Sequence, residues 1–103
     1  MLVTALLTFG ASIVPVATSP TFVRDLQIEP LRTNANICYV GDSTLVQDGS
    51  AGVVRSLAVP PASNGILDRY QRGSRGAELG FDAGQLYVGG TAGQKMVVSY
   101  WSI

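Results

Sequence analysis

The sequence predicts an all-β fold, a β-sandwich or jelly-roll-like barrel of about seven or eight short antiparallel strands. Three observations predict it. Apolar, β-branched and aromatic runs recur along the chain, separated by clusters of Gly, Pro, Asn, Asp and Ser that terminate strands and form turns. No stretch combines good helix formers with apolar residues three and four apart, and Asp82-Ala83-Gly84 offers a single turn at most. Finally, two segments share one design: Asn36-Ile37-Cys38-Tyr39-Val40-Gly41-Asp42-Ser43-Thr44 and Gln85-Leu86-Tyr87-Val88-Gly89-Gly90-Thr91-Ala92-Gly93. Each is an apolar run with a tyrosine and a valine that stops at a glycine turn, and strands of this kind are expected at the centre of a sheet.

Taken in order, residues 2–9 carry Leu2, Val3, Leu6, Leu7 and Phe9 and form a first strand, with a second extended piece after Gly10. Residues 1–17 hold no charge. They lack the basic start and small-residue cleavage pattern of a secretory signal, and Gly10 and Pro15 interrupt them. They also fall short of the roughly 20 apolar residues of a membrane helix, so no membrane partner is expected. The segment reads as an edge strand or arm, and a long uncharged edge invites pairing with another chain. From Thr21, alternation puts Phe22, Leu26 and Ile28 on one face and Val23, Asp25, Gln27 and Glu29 on the other, with Arg24 interrupting, until Pro30 ends the strand. Thr33-Asn34-Ala35-Asn36 turns into the strand of residues 37–40, and the Gly-rich segment 47–52 turns into residues 53–59, closed by Pro60-Pro61. Ser63-Asn64-Gly65 leads to a short strand at residues 66–70, and residues 73–80 form a loop. The last strands, residues 85–89 and 95–101, are expected to form a hairpin through Gly90-Thr91-Ala92-Gly93.

The chain of 103 residues has the length of one domain, an apolar N-terminal strand or arm over residues 1–17 followed by a sandwich over residues 18–103. It is 47% hydrophobic and 14% charged, well below the roughly one-quarter charged residues of an average soluble domain. Apolar surface left uncovered by charge points to burial against neighbours, hence to a homo-oligomer. Seven basic and seven acidic residues balance, which removes the general attraction to phosphate backbones and argues against free nucleic acid as a partner.

Gly41-Asp42-Ser43-Thr44 resembles the block that carries the nucleophile in GDSL-type hydrolases. That serine needs a base, and the chain has no histidine, so Asp42 and Ser43 read as turn residues and no enzyme is expected. Cys38 is single and lies in an apolar run, which reads as a small buried hydrophobe. Carboxylates occur singly, with no calcium-loop pattern, so neither a metal nor another cofactor is expected. Arg69, Arg72 and Arg75 form the one local concentration of charge; they suit contacts to carboxylates on a neighbouring subunit or, equally, a solvated loop, with a phosphate clamp behind both. With Leu2, Val3, Leu6, Leu7 and Phe9 they make up the expected interface.

The order of three blocks resembles a group of small tailed-phage virion proteins: Arg24-Asp25-Leu26-Gln27-Ile28, then Tyr39-Val40-Gly41-Asp42, then Leu86-Tyr87-Val88 with Ala92-Gly93-Gln94-Lys95-Met96-Val97-Val98-Ser99-Tyr100. The resemblance spans about residues 21–101; the arm before Thr18 and the segment 69–76 depart from it. It implies a bacteriophage structural protein that cements or decorates a capsid or otherwise belongs to the particle. The reading taken from it is a capsid cement or decoration subunit at the capsid surface that reinforces contacts between subunits of the major capsid protein, with a trimer as the favoured homo-oligomer. The alternative is a carbohydrate- or receptor-binding sandwich of a tail or fibre, with Tyr70, Tyr87 or Trp101 as a stacking platform.

Overall fold

The computed structural model describes residues 2–18, 20–31, 34, 36–58, 68–73 and 80–102. Arg75, the expected Pro60-Pro61 closure, the Ser63-Asn64-Gly65 turn and strand residues 66–67 lie outside them. The elements are β1 (Leu2–Thr8), β2 (Val14–Pro15), β3 (Phe22–Pro30), β4 (Cys38–Gly41), β5 (Val53–Leu57), β6 (Tyr70–Arg72), β7 (Phe81–Asp82), a 3-10 turn (Ala83–Gln85), β8 (Tyr87–Gly89) and β9 (Lys95–Ser102). The protein is all-β, as the strand and turn pattern predicts.

Two antiparallel sheets form the sandwich. The first has five strands in the order β1-β9-β3-β6, with β7 also paired to β3; the second has four in the order β2-β8-β4-β5. The inner faces supply the core: Val23, Leu26, Ile28, Met96 and Val98 from the first sheet, Cys38, Val40, Leu57 and Val88 from the second. Phe9, Val16 and Leu86, from the connecting segments, join that cluster. The two repeated segments, β4 and β8, are the inner pair of the second sheet and bond to each other through Tyr39↔Gly89 and Val40↔Val88.

Three sequence expectations change. Of the short strand expected at residues 66–70, the described residues 68 and 69 are not strand, and the strand runs instead over Tyr70–Arg72. Strict alternation groups Phe22 with Leu26 and Ile28, but Phe22 is 58% exposed and Val23 is fully buried. The cause is a β-bulge: β3 and β9 pair at Arg24↔Trp101 and then at Gln27↔Ser99, so Asp25 and Leu26 together oppose Tyr100. One extra residue inverts the parity of everything before it. The expected β8–β9 hairpin is also replaced, because β8 pairs with β2 and β4 while β9 pairs with β1 and β3. Residues 90–94 are a corner between sheets, closed by Gln94 N–H donating to Thr91 O at 3.0 Å.

Candidate association surface

An open sheet edge is a row of unpaired backbone groups, and soluble proteins guard it with short strands, proline, bulges or charge. Three of the sandwich's edges carry such protection. The far side of β3 is shared by β6 and β7, of three and two residues. At the β2 edge there are two residues, one of them Pro15. β5 carries a bulge, since Val40 pairs with Arg55 but Gly41 with Val53. Arg55 also sits on the face of β5 that bears buried Leu57, and its guanidinium bonds Asp68 at 2.9 Å.

β1 differs. Its seven residues pair with β9 in unbroken register from Leu2↔Trp101 to Thr8↔Lys95, and they include no charge, proline or bulge. Among the described residues, no strand covers its other side. Met96 and Val98 face the core, so alternation turns Val97, Ser99 and Trp101 outward, and with them Leu6, Thr4 and Leu2. Leu2 and Leu6 are 53% and 54% exposed. The result is an apolar stripe of Leu2, Leu6, Val97 and Trp101 across β1 and β9. Arg24 on β3 flanks Trp101, Glu29 flanks Val97, and Arg69 Nε bonds Glu29 Oε1 at 2.6 Å.

The expected interface residues therefore divide. Leu2 and Leu6 lie on the stripe. Val3 and Leu7 lie on the other face of β1, half-buried, with Leu7 packed against the core. Phe9 requires a correction: it is 2% exposed, part of the core, and does not belong to the exposed set. Arg69 is engaged within the chain by Glu29, and the Arg72 guanidinium lies 4.2 Å from the centre of the Phe81 ring. The Arg69 pair is half-exposed, where such pairs contribute about 0–1 kcal/mol, so it leaves Arg69 able to exchange partners. Sequence reasoning missed Val97 as part of the stripe and took up Trp101 only in the alternative reading, as one of three candidate stacking aromatics. Only the β1–β9 register brings them beside Leu6 and Leu2.

The polar loops hold turns rather than converge on a site. Asp42 Oδ1 accepts from Thr44 N at 2.8 Å, and its carboxyl sits below the usual range because the Thr44 hydroxyl, then the Thr44 N–H, favour the anion. Asp48 accepts from Ser50 N at 2.9 Å and is lowered likewise, by the Ser50 hydroxyl first. Asp82 Oδ1 accepts from Thr21 N at 2.9 Å and Gly84 N at 2.8 Å, which lowers its pKa and ties the start of β3 to the 3-10 turn. Burial pushes the Cys38 thiol up, against a smaller opposite effect of Asn34. Among the described residues no three metal-ligating side chains gather. A hollow of about 150 Å³ between Pro15, Pro20, Asp82 and Tyr87 is smaller than the roughly 300 Å³ at which ligand pockets begin. A second, of about 340 Å³ against Gln47, Asp48, Gly90, Thr91 and Ala92, reaches that size but is open and has a single charged group in its lining.

Fold and surface together define an all-β sandwich with, among the described residues, one unguarded edge flanked by an apolar stripe. No family model matches the chain, and no curated protein or solved structure matches it significantly.

Proposed function

We propose that the protein is a non-enzymatic structural subunit that works by associating with protein neighbours, as a capsid cement or decoration protein does. One observation carries the reading: β1 is the longest edge of the sandwich, carries none of the protection present at the other edges, and adjoins the stripe of Leu2, Leu6, Val97 and Trp101. The resemblance to tailed-phage virion proteins supplies the neighbour, subunits of the major capsid protein, and the place, the capsid surface. A subunit lying over the seam between capsid subunits adds buried area to each. Repetition over a shell multiplies a modest contact into resistance to internal pressure.

The test is occupancy on shells. Removing residues 1–17 would strip out β1 and core residue Phe9, so point changes on the stripe are cleaner. Leu2→Glu with Leu6→Glu, at two exposed positions, is expected to leave the fold intact and to abolish co-sedimentation with capsids at fixed copy number. Undiminished occupancy would sink the reading. A glycan-binding sandwich is the second reading, favoured by the outward position of Trp101 beside Arg24. Trp101 is the sole tryptophan, so a shift of its emission on adding glycans would decide for that alternative.

A further inference from the structure

We infer that two copies of this chain pair antiparallel through β1, joining their first sheets into one continuous sheet across a twofold axis at Ala5. The inference rests on the reading of the chain as an associating subunit, and names the first neighbour as a second copy of itself.

Backbone direction makes the pairing available. Phe9, just past β1, points both groups toward β9: its N–H donates to Gln94 O and its carbonyl accepts from Gly93 N, each at 2.9 Å. Lys95, opposite Thr8, points the other way, since its carbonyl accepts from Leu31 N and its N–H donates to Asn34 Oδ1. Along an antiparallel pair, bonded and non-bonded positions alternate. Val3, Ala5 and Leu7 therefore bond β9, while Leu2, Thr4, Leu6 and Thr8 direct their N–H and C=O groups to the open side.

These groups restrict the register. A slip of one residue would set outward groups against inward ones and move every side chain to the wrong face. Among registers of the right parity, the one centred on Ala5 pairs the whole strand. On the outer face it sets Thr4 opposite Leu6 of the second copy, and Leu2 opposite Thr8. On the inner face Val3 meets Leu7, and Ala5 meets Ala5 at a non-bonded position, where Cα atoms approach to about 4.5 Å and a methyl group fits. Every large side chain faces a smaller one, and no charge faces another. The strand is its own complement, which favours a second copy over an unrelated partner. A self-complementary edge closes as a twofold dimer, in place of the trimer expected from the sequence. Pairing also makes one band of the two stripes, which is the surface that the proposed capsid contact would use.

The experiment measures the mass of the full chain by sedimentation over a dilution series, with two double variants. The unaltered chain is expected to be a monomer–dimer equilibrium. Thr4→Lys with Leu6→Lys puts introduced lysines directly opposite each other on both sides of the axis and is expected to weaken dimerisation about tenfold or more. Thr4→Glu with Leu6→Lys puts opposite charges face to face in this register and is expected to keep the dimer. In the register centred on Thr4, the same variant would oppose two glutamates at the axis. An unaltered chain that stays monomeric or forms a trimer overturns the inference, as do two variants that dissociate alike. A monomer that still occupies capsids overturns the pairing and leaves the proposed function standing; a dimer that ignores capsids does the reverse.

Discussion

The side-chain amide of Asn34 pairs with both backbone groups of Lys95. Its Oδ1 accepts from Lys95 N at 3.1 Å, and its Nδ2 donates to Lys95 O at 2.6 Å. The same Nδ2 lies 3.4 Å from Cys38 Sγ. The last bond of the β3–β9 ladder is Leu31 N–H to Lys95 O, and this amide takes the place of the missing return bond from Lys95 N, holding the β3–β4 connection to the start of β9. Asn34 is 6% exposed, so water does not replace a lost bond.

Asn34→Ala is therefore expected to destabilise the protein. Lys95 O keeps its bond from Leu31 N, but Lys95 N loses its partner, at a cost of about 1–3 kcal/mol. For a domain of this size the melting midpoint falls by roughly 5–20 °C. An unchanged midpoint in a thermal melt would show that the amide contributes nothing net.

Cys38 is expected to be inert in the folded protein. It is fully buried, and burial holds its thiol above the usual range, so the reactive thiolate is scarce where a reagent would have to reach it. Labelling with an aromatic disulfide at mildly alkaline pH should proceed only as fast as the protein opens and reach one thiol per chain in denaturant. Rapid labelling of native protein would contradict this. Asn34→Ala should accelerate it, because the same contact anchors both sites.

At the β3 bulge, Asp25 adopts φ +49°, the one described non-glycine residue in the left-handed region. Asp enters that region at modest cost because its short side chain bonds locally, whereas a β-branched residue does not. Asp25→Val is expected to cost about 1–2 kcal/mol in urea denaturation, and Asp25→Asn less than half of that. Equal midpoints for the two would indicate that the bulge relaxes when the residue changes.

That same residue marks where sequence reasoning stops. Composition and turn chemistry made the longer strands, the central place of β4 and β8 and the edge place of β1 legible, since each follows from what a segment is made of; the two-residue β7 was not legible, and β6 begins only at the last residue of the strand expected at residues 66–70. Alternation failed upstream of Asp25 because nothing local distinguishes an Asp on a strand face from an Asp that adds a residue. The β8–β9 hairpin failed for a similar reason: a Gly-rich turn between strands reads alike whether the chain folds back or crosses to the other sheet. Of the candidate association surface, Leu2 and Leu6 could be read from an uncharged run. Val97 and Trp101 could not, because their place depends on register between segments about ninety residues apart.

The corner that replaces the hairpin depends on close contact between Phe9 and Gly90. A Cβ added at Gly90 would lie 2.6 Å from Phe9 Cε2, in a residue fully enclosed by the core. Gly90→Ala is expected to cost about 1–3 kcal/mol through overpacking. Phe9→Leu loses packing by itself, but combined with Gly90→Ala it should cost less than the sum of the two. A double-mutant cycle with no coupling would place the strain elsewhere.

Acid is expected to lower the protein's stability through its aspartates. Asp42, Asp48, Asp68 and Asp82 all sit below the ordinary carboxylate range; for Asp68 the main cause is the Ala58 N–H, with Arg55 adding to it. A lowered native pKa means that the unfolded chain binds protons first. The stabilisation is thus whole above about pH 4, where unfolded carboxyls titrate, and is lost as pH falls through the native values. The chain has no histidine, so no side chain of unshifted pKa titrates between about pH 5 and 8, and urea midpoints should be flat there. Asp82→Asn separates hydrogen bonding from charge. Its amide oxygen still accepts from Thr21 N and Gly84 N but takes up no proton, so the variant should lose less stability between neutral and acid pH than the unaltered chain. If its acid limb is as steep, protonation of Asp82 is not what loosens the start of β3.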